Sequence, residues 1–390
     1  MLARRKNLLI FILTIGVFGI INTEMGIIGI LPSLAEHFDV SVSKAGWLVS
    51  LFALVIAVSG PTMPLLFSGI NRKKVMLLVL GVFVLGNIVS IFTTHFTVAL
   101  LARVIPAFFH PIYCSLAFSV AAASVSKEEA PKAVSKVFIG VSAGMVIGVP
   151  IASLIASTSS LQMAMVFFAV VNALSFMATL LFVPSMPVKE QLSYGSQLSV
   201  LKKWVTWQSI VAVIFLNSAI FGVYSYFAEY LKTVTNMSSN TITTMLVVFG
   251  VANMIGNLVA GKLLTKNALK YIISFPVALG ALYILFFLFG QFSVPMAFIT
   301  LIWGIFAGVG ANINQYWIMS SAPEAPDFAN GLFLTSANLG TTIGAAVGGL
   351  FISGMGTPYV VLVGILSLIL SLACILLRNY MDSPTKQLSL

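Results

Sequence analysis

The stretch Gly19-Ile-Ile-Asn-Thr-Glu-Met-Gly-Ile-Ile-Gly-Ile-Leu-Pro32 decides how the chain is read. It lies in an apolar run from about Leu8 to Leu31, long enough to cross a bilayer as a helix. In its middle stands Glu24, the only carboxylate well inside any hydrophobic run. An ionisable group in hydrocarbon costs at least about 2.5–3.5 kcal/mol, so it faces a partner or a wet cavity. Gly19, Gly26 and Gly29 leave room for a neighbouring helix or a ligand to approach the backbone. A buried carboxylate among small residues is the expected proton-handling group of a membrane transporter.

The composition agrees. The 390 residues are 59% hydrophobic and 8% charged, against roughly 25% charged in soluble domains. Twelve apolar runs of spanning length follow one another: about 8–31, 44–67, 74–94, 97–122, 132–157, 161–183, 205–231, 239–262, 269–289, 294–320, 328–353 and 357–378. We number them spans 1 to 12, and the fold expected is all-α. The net charge of +10 is no sign of nucleic-acid binding, because the cations sit in the short gaps between runs. Arg72, Lys73 and Lys74, then Lys127, Lys132 and Lys136, then Lys189, Lys202 and Lys203, then Lys262, Lys266 and Lys270 fill the even gaps. With Arg4, Arg5 and Lys6 before span 1 and Arg378 and Lys386 at the end, the positive-inside rule puts both termini in the cytoplasm. The acidic loop Ser321–Ala329 departs from the pattern, but acidic residues weigh little in that rule.

Residues 184–204 form the longest polar gap and are expected to link two six-span halves, 1–183 and 205–390. Ala130-Pro131 followed by Gly140, Gly144 and Gly148 recurs about half a chain later as Ala325-Pro326 followed by Gly340, Gly344 and Gly348. Such repeats relate the halves of transporters. The two cysteines, Cys114 and Cys374, fall in apolar runs and read as small packing residues. No phosphate-cradling loop, metal-spaced His/Cys set or catalytic triad is present, so neither an enzyme, nor a cofactor, nor ATP-driven transport is expected.

These features resemble the major facilitator superfamily, twelve helices in two pseudo-symmetric halves. Gly140-Val-Ser-Ala-Gly144-Met-Val-Ile-Gly148-Val-Pro150 in span 5 is similar to the antiporter motif of its drug:proton branch, with Gly-Val-Pro in place of Gly-Pro. Leu101-Ala-Arg103-Val-Ile-Pro-Ala-Phe-Phe-His110-Pro111 in span 4 resembles the family's motif with one intramembrane arginine. The first span is similar to that of arabinose-efflux and purine-base-efflux transporters. In the loop between spans 2 and 3 the basic cluster Arg72, Lys73, Lys74 is kept, but Ser68 replaces the usual aspartate. The charge-stabilised cytoplasmic lock of that motif is therefore in question, and closure by packing is the alternative.

The resemblance implies a monomeric, multi-pass protein of the cell membrane that exports drugs, nucleobases or sugars in exchange for protons, with spans 1, 4, 7 and 10 around the solute path. Glu24 lies about 24 Å from the inner side, counting 1.5 Å per residue from Leu8. Arg103 lies about 21 Å from it in a core about 30 Å thick. The functional reading is a carboxylate that binds and releases a proton, its affinity biased by Arg103; the structural one is a permanent ion pair. His110, seven residues after Arg103, is either a proton relay or a neutral ring satisfying carbonyls freed by Pro106 and Pro111. Asn22, Asn217, Tyr224, Tyr226, Asn312, Asn314, Gln315 and Tyr316 are the candidate solute contacts, amides beside aromatic faces. Each serves equally well as a helix–helix hydrogen bond or an interfacial ring. The rival reading of the whole is a uniporter or importer of a small polar metabolite, with Glu24 structural.

Overall fold

The computed structural model describes residues 2–40, 42–188 and 194–381. Lys189 and Lys386, the middle of the 184–204 segment, and the side chains of Arg4 and Arg5 lie outside the described residues.

Among the described residues all regular structure is helical. Nine stretches are each long and apolar enough to cross a membrane. The Asn240–Phe289 stretch contains spans 8 and 9, separated by a kink at Asn267, whose φ of −160° and ψ of 83° are not helical. Span 2 is divided into Trp47–Ser59 and Met63–Phe67 around Gly60 and Pro61. Span 11 runs Pro326–Met355, its glycines and hydroxyls lowering its apolarity. The twelve expected spans are thus accounted for.

The interruptions are what the apolar runs did not show. Span 1 is α-helical over Leu2–Gly26, tightens to a 3₁₀ turn at Ile27–Ile30 and resumes over Leu31–His37. Span 5 passes from Ala130–Ala143 through a π turn, Gly144–Gly148, to Val149–Thr158. Span 7 stops at Tyr224 and restarts over Phe227–Thr233. Helix starts follow their caps: Asn71 accepts hydrogen bonds from the Lys73 and Lys74 amides at span 3 (Arg72–Phe92), and Ser160 from Met163 at span 6 (Leu161–Phe182).

The chain divides into two compact units, Met1–Tyr194 and Gly195–Leu390. In the first, span 5 lies on span 1 through its glycines. A methyl group at Gly140 would collide with the Thr14 carbonyl, one at Gly144 with Ile21, and one at Gly148 with the Asn22 amide. In the second, span 11 lies on span 7 in the same way. Gly340 meets the Ile214 carbonyl, Gly344 the Ser218 carbonyl, and Gly348 the Gly222 carbonyl and the Tyr226 ring. Pro150 opens the helical stretch after the π turn.

Hydrogen bonds tie the loop between spans 2 and 3 to its surroundings. Ser68 Oγ donates to the Leu65 carbonyl, where an aspartate would have offered only an acceptor. Asn71 donates to Ser185 Oγ at 2.9 Å, the Arg72 amide to the Met186 carbonyl at 3.0 Å, and Lys73 Nζ to the Leu180 carbonyl at 2.9 Å. The basic cluster is tied to the end of span 6.

Candidate functional site

The buried charges of the first unit meet where span 1 approaches its 3₁₀ turn. Glu24 Oε2 lies 3.0 Å from His110 Nε2, and the two side chains are 11% and 5% exposed. His110 is carried by span 4 (Phe96–Ala123), a helix that contains Pro106 and Pro111. Proline at 106 removes the amide that would have bonded the Ala102 carbonyl, and Gly86 of span 3 packs against that carbonyl.

Arg103 does a different job from the one depth alone suggests. Its side chain donates to three backbone carbonyls: Nε to Leu48 at 3.0 Å, Nη1 to Thr23 at 3.1 Å and Nη2 to Glu24 at 3.3 Å. The last carbonyls of the α-helical part of span 1 are short of partners where the helix ends, and the guanidinium fork supplies them. The direct partner of the Glu24 carboxylate is the imidazole. Phe52 of span 2 lies beside both, its ring centroid 5.0 Å from the Arg103 guanidinium and 6.2 Å from the His110 ring.

A further ring of polar contacts fixes this turn of span 1. Thr23 Oγ1 accepts from Asn87 of span 3 at 3.1 Å and from Asn172 of span 6 at 2.8 Å. Asn172 also donates to the Gly19 carbonyl at 3.1 Å. Asn87 and Asn172 escaped the sequence reading, although each is an isolated amide in an apolar run. His110 Nδ1 and both amide atoms of Asn22 are buried with no hydrogen-bond partner, and Cys114 Sγ lies 3.8 Å from His110 Nε2.

Carboxylate and imidazole at hydrogen-bond distance share protons. With one proton the pair is Glu⁻ accepting from a neutral Nε2–H; with two it is overall neutral; with three both partners are fully protonated. Adding or removing one proton changes the charge of this buried pair by one unit, which in a low dielectric is a large change in field.

The candidate solute contacts of the second unit are neutral, and most are braced across helices. Asn312 of span 10 (Ser293–Ser321) donates to Asn257 Oδ1 of span 8 at 2.7 Å. Asn217 of span 7 donates to Thr341 Oγ1 of span 11 at 2.8 Å, Gln315 to Asn330 Oδ1 at 2.8 Å, and Tyr226 Oη to the Ala345 carbonyl at 2.8 Å. Asn314 makes a long contact of 3.5 Å to Asn217 Oδ1, and Tyr316 is half-buried. Tyr224 stacks on Phe249, centroids 4.6 Å apart, within an aromatic block around Trp303.

Arg378, read from the sequence as a cation outside the membrane, is buried in span 12 (Val360–Met381). It donates to Ser209 Oγ, the Trp317 carbonyl and Ser320 Oγ, each at 3.0 Å, and its guanidinium lies 3.7 Å from the Trp317 ring. Nothing in its local sequence distinguished it from a loop cation. Asp327 of the acidic loop is likewise buried at the start of span 11.

Comparison with known proteins agrees with this architecture. Residues 13–327 match the Major Facilitator Superfamily profile. The chain is 28% identical over 353 residues to the Inner membrane transport protein YdhP of Escherichia coli K12, covering 90% of this chain and 91% of that protein. It is 26% identical over 359 residues to a Probable sugar efflux transporter of Helicobacter pylori, covering 91% of each. Among solved structures, the transporter FucP in its outward conformation superposes with a TM-score of 0.78 at 16% identity, over 95% of this chain and 98% of that one. The human organic anion transporter MFSD10 gives 0.74 at 14% identity, over 96% and 99%. These relatives are transporters and not enzymes, and the chain belongs to the Major Facilitator Superfamily as a multi-pass membrane transporter of small solutes.

Proposed function

We propose that this transporter is a proton-coupled antiporter that exports small organic molecules by alternating access, with Glu24 and His110 as its coupling pair. The observation that carries the reading is the 3.0 Å contact between two titratable side chains buried among apolar spans. Arg103, held on the Thr23 and Glu24 carbonyls, places a fixed positive charge beside the pair. Both termini lie in the cytoplasm, as the cation distribution argues. In the second unit, Asn314, Tyr224 and Tyr316 are the solute-contact candidates. Asn217, Asn312, Gln315 and Tyr226 commit their polar groups to neighbouring helices. Asn22, buried against Gly148, acts in helix packing first. Export is supported by the Helicobacter relative, a probable sugar efflux transporter, and drugs, nucleobases and sugars are the solutes to test.

The experiment uses inside-out vesicles with an acidic interior, challenged with sugars, nucleobases and lipophilic cations. One class is expected to alkalinise the interior of wild-type vesicles and to leave those with Glu24→Gln or His110→Gln unchanged. Transport of labelled solute with no proton movement in wild type would instead favour a uniporter, in which Glu24 and His110 form a permanent structural pair. Wild-type behaviour in Glu24→Gln would remove Glu24 from coupling.

A further inference from the structure

Spans 8 and 9, joined at Asn267, and span 10 behind them enclose a groove of about 210 Å³ in the second unit. Val259, Leu263, Phe275, Ala278 and Phe306 line it, with Tyr271 and Ser274 as its polar members. It is smaller than the roughly 300–1,000 Å³ of drug-sized pockets. Its walls are apolar and its edges open, since Ala278 and Ser274 are exposed and Val259 and Leu263 half-buried.

The chemistry at one end of the groove is different. Lys266 lies one helical turn beyond Leu263, and Lys270 one turn before Ser274, so both continue the groove-lining faces toward the turn at Asn267. Lys262 stands on the neighbouring position, and all three lysines are exposed. Asn267 Oδ1 accepts from the Lys270 amide at 3.1 Å, which places Lys270 in the first turn of span 9. The positive end of that helix adds to the same potential. No aspartate or glutamate occurs anywhere from Ser239 to Ser321, so nothing on these three spans neutralises the cluster. Glu324, the next carboxylate in sequence, pairs with Lys203.

We infer that this groove binds an anionic phospholipid, one acyl chain lying along Leu263, Phe275 and Phe306 and the phosphate held by Lys266 and Lys270. An apolar slot ending at a cluster of lysines at headgroup level matches the two parts of such a lipid. A neutral solute has no use for the lysines, and a soluble anion has none for the slot.

The test is lipid titration of the purified, delipidated protein followed by native mass spectrometry, with phosphatidylglycerol and phosphatidylcholine of identical chains. Wild type is expected to bind phosphatidylglycerol preferentially. Lys266→Gln with Lys270→Gln should weaken it about thirtyfold, as loss of two surface lysine–headgroup attractions implies, while the corresponding Arg pair keeps it. Ala278→Trp, which fills the slot, should reduce binding of both lipids. Equal binding of the two lipids by wild type, or an unchanged affinity in the double Gln variant, overturns the assignment. So does displacement of phosphatidylglycerol by glycerol phosphate alone, which would make the ligand a free phosphate and not a lipid.

Discussion

The two units are built on one plan and filled differently. A displacement of 200 residues carries Gly140, Gly144 and Gly148 onto Gly340, Gly344 and Gly348, and Thr14, which the first of them packs against, onto Ile214. The same displacement carries Glu24 onto Tyr224 and Arg103 onto Trp303. Where the first unit buries a carboxylate and a guanidinium, the second buries two aromatic rings 6.1 Å apart, packed with Phe249, Phe227 and Phe286. Trp303 Nε1 donates to Tyr283 Oη, which donates to the Ala219 carbonyl at 2.6 Å, so even its polar atom is satisfied internally. One scaffold thus holds a titratable centre in one copy and a neutral, closely packed block in the other.

Glu24→Gln gives the sharpest break in the comparison: proton-coupled flux should fall to background, whereas Tyr224→Phe at the equivalent place keeps coupling at any effect on solute affinity. Vesicle pH measurements with both variants check this, and loss of coupling in Tyr224→Phe would mean that both copies take part. On stability the order reverses. Trp303→Ala empties the centre of the aromatic block and should cost about 3–5 kcal/mol. Arg103→Gln leaves the Leu48, Thr23 and Glu24 carbonyls short of donors and should cost about 1–3 kcal/mol. Thermal unfolding of the purified variants in detergent measures both; a larger loss for Arg103→Gln would make the charge network, and not the rings, the firmer of the two centres.

How far the sequence reveals this depends on the kind of signal. Span number and helical class are written in run lengths, since about twenty apolar residues in a row have few other uses. The glycine faces are equally legible, because close helix contact needs small residues at regular spacing. The breaks in spans 1 and 7 are less so: Gly26–Ile30 and Ser225–Tyr226 lie inside continuous apolar runs, although Pro32, in the first turn of the helix that resumes span 1, lacks the amide that would bond the Ile28 carbonyl and marks the first break. Depth counting brought Arg103 to the level of Glu24, but a depth fixes neither azimuth nor reach. The guanidinium stops on carbonyls exposed by the break, and the ring one heptad further on takes the carboxylate. The amides of the second unit were visible as a cluster, while their pairing across helices was not, since each partner is a single residue in a distant run.

The glycines test whether the shared plan is also shared energetically. Gly140→Ala and Gly340→Ala both drive a methyl group into a backbone carbonyl, of Thr14 and Ile214 respectively, which cannot turn aside. Each should cost about 1–3 kcal/mol, and the two should agree. Further along, the copies diverge. At Gly344 the obstacle is again backbone, the Ser218 carbonyl 2.6 Å from the new methyl, whereas at Gly148 it is the amide of Asn22. That amide makes no hydrogen bond, so packing alone opposes its displacement. Gly148→Ala should therefore destabilise less than Gly344→Ala, and the opposite order would show that Asn22 is held in place by something other than hydrogen bonds.

The smallest effect expected is at the edge of the second unit, where Lys203 pairs with Glu324. Partial burial pushes the Glu324 carboxyl up, but the hydrogen bond and charge of Lys203 outweigh it and hold the group below its ordinary value. The stabilisation this gives is present at pH values above the ordinary carboxylate range and is lost as pH falls through the lowered value. Both side chains are substantially exposed, 45% and 40%, so solvent screening leaves only about 0.5 kcal/mol. Glu324→Gln should accordingly lower the unfolding temperature slightly at pH 7 and low salt, and the difference from wild type should vanish at high salt and on acidification. A difference that survives acidification cannot come from the ionised carboxylate; it would point instead to packing of the loop that leads into span 11, where Asp327 is already buried.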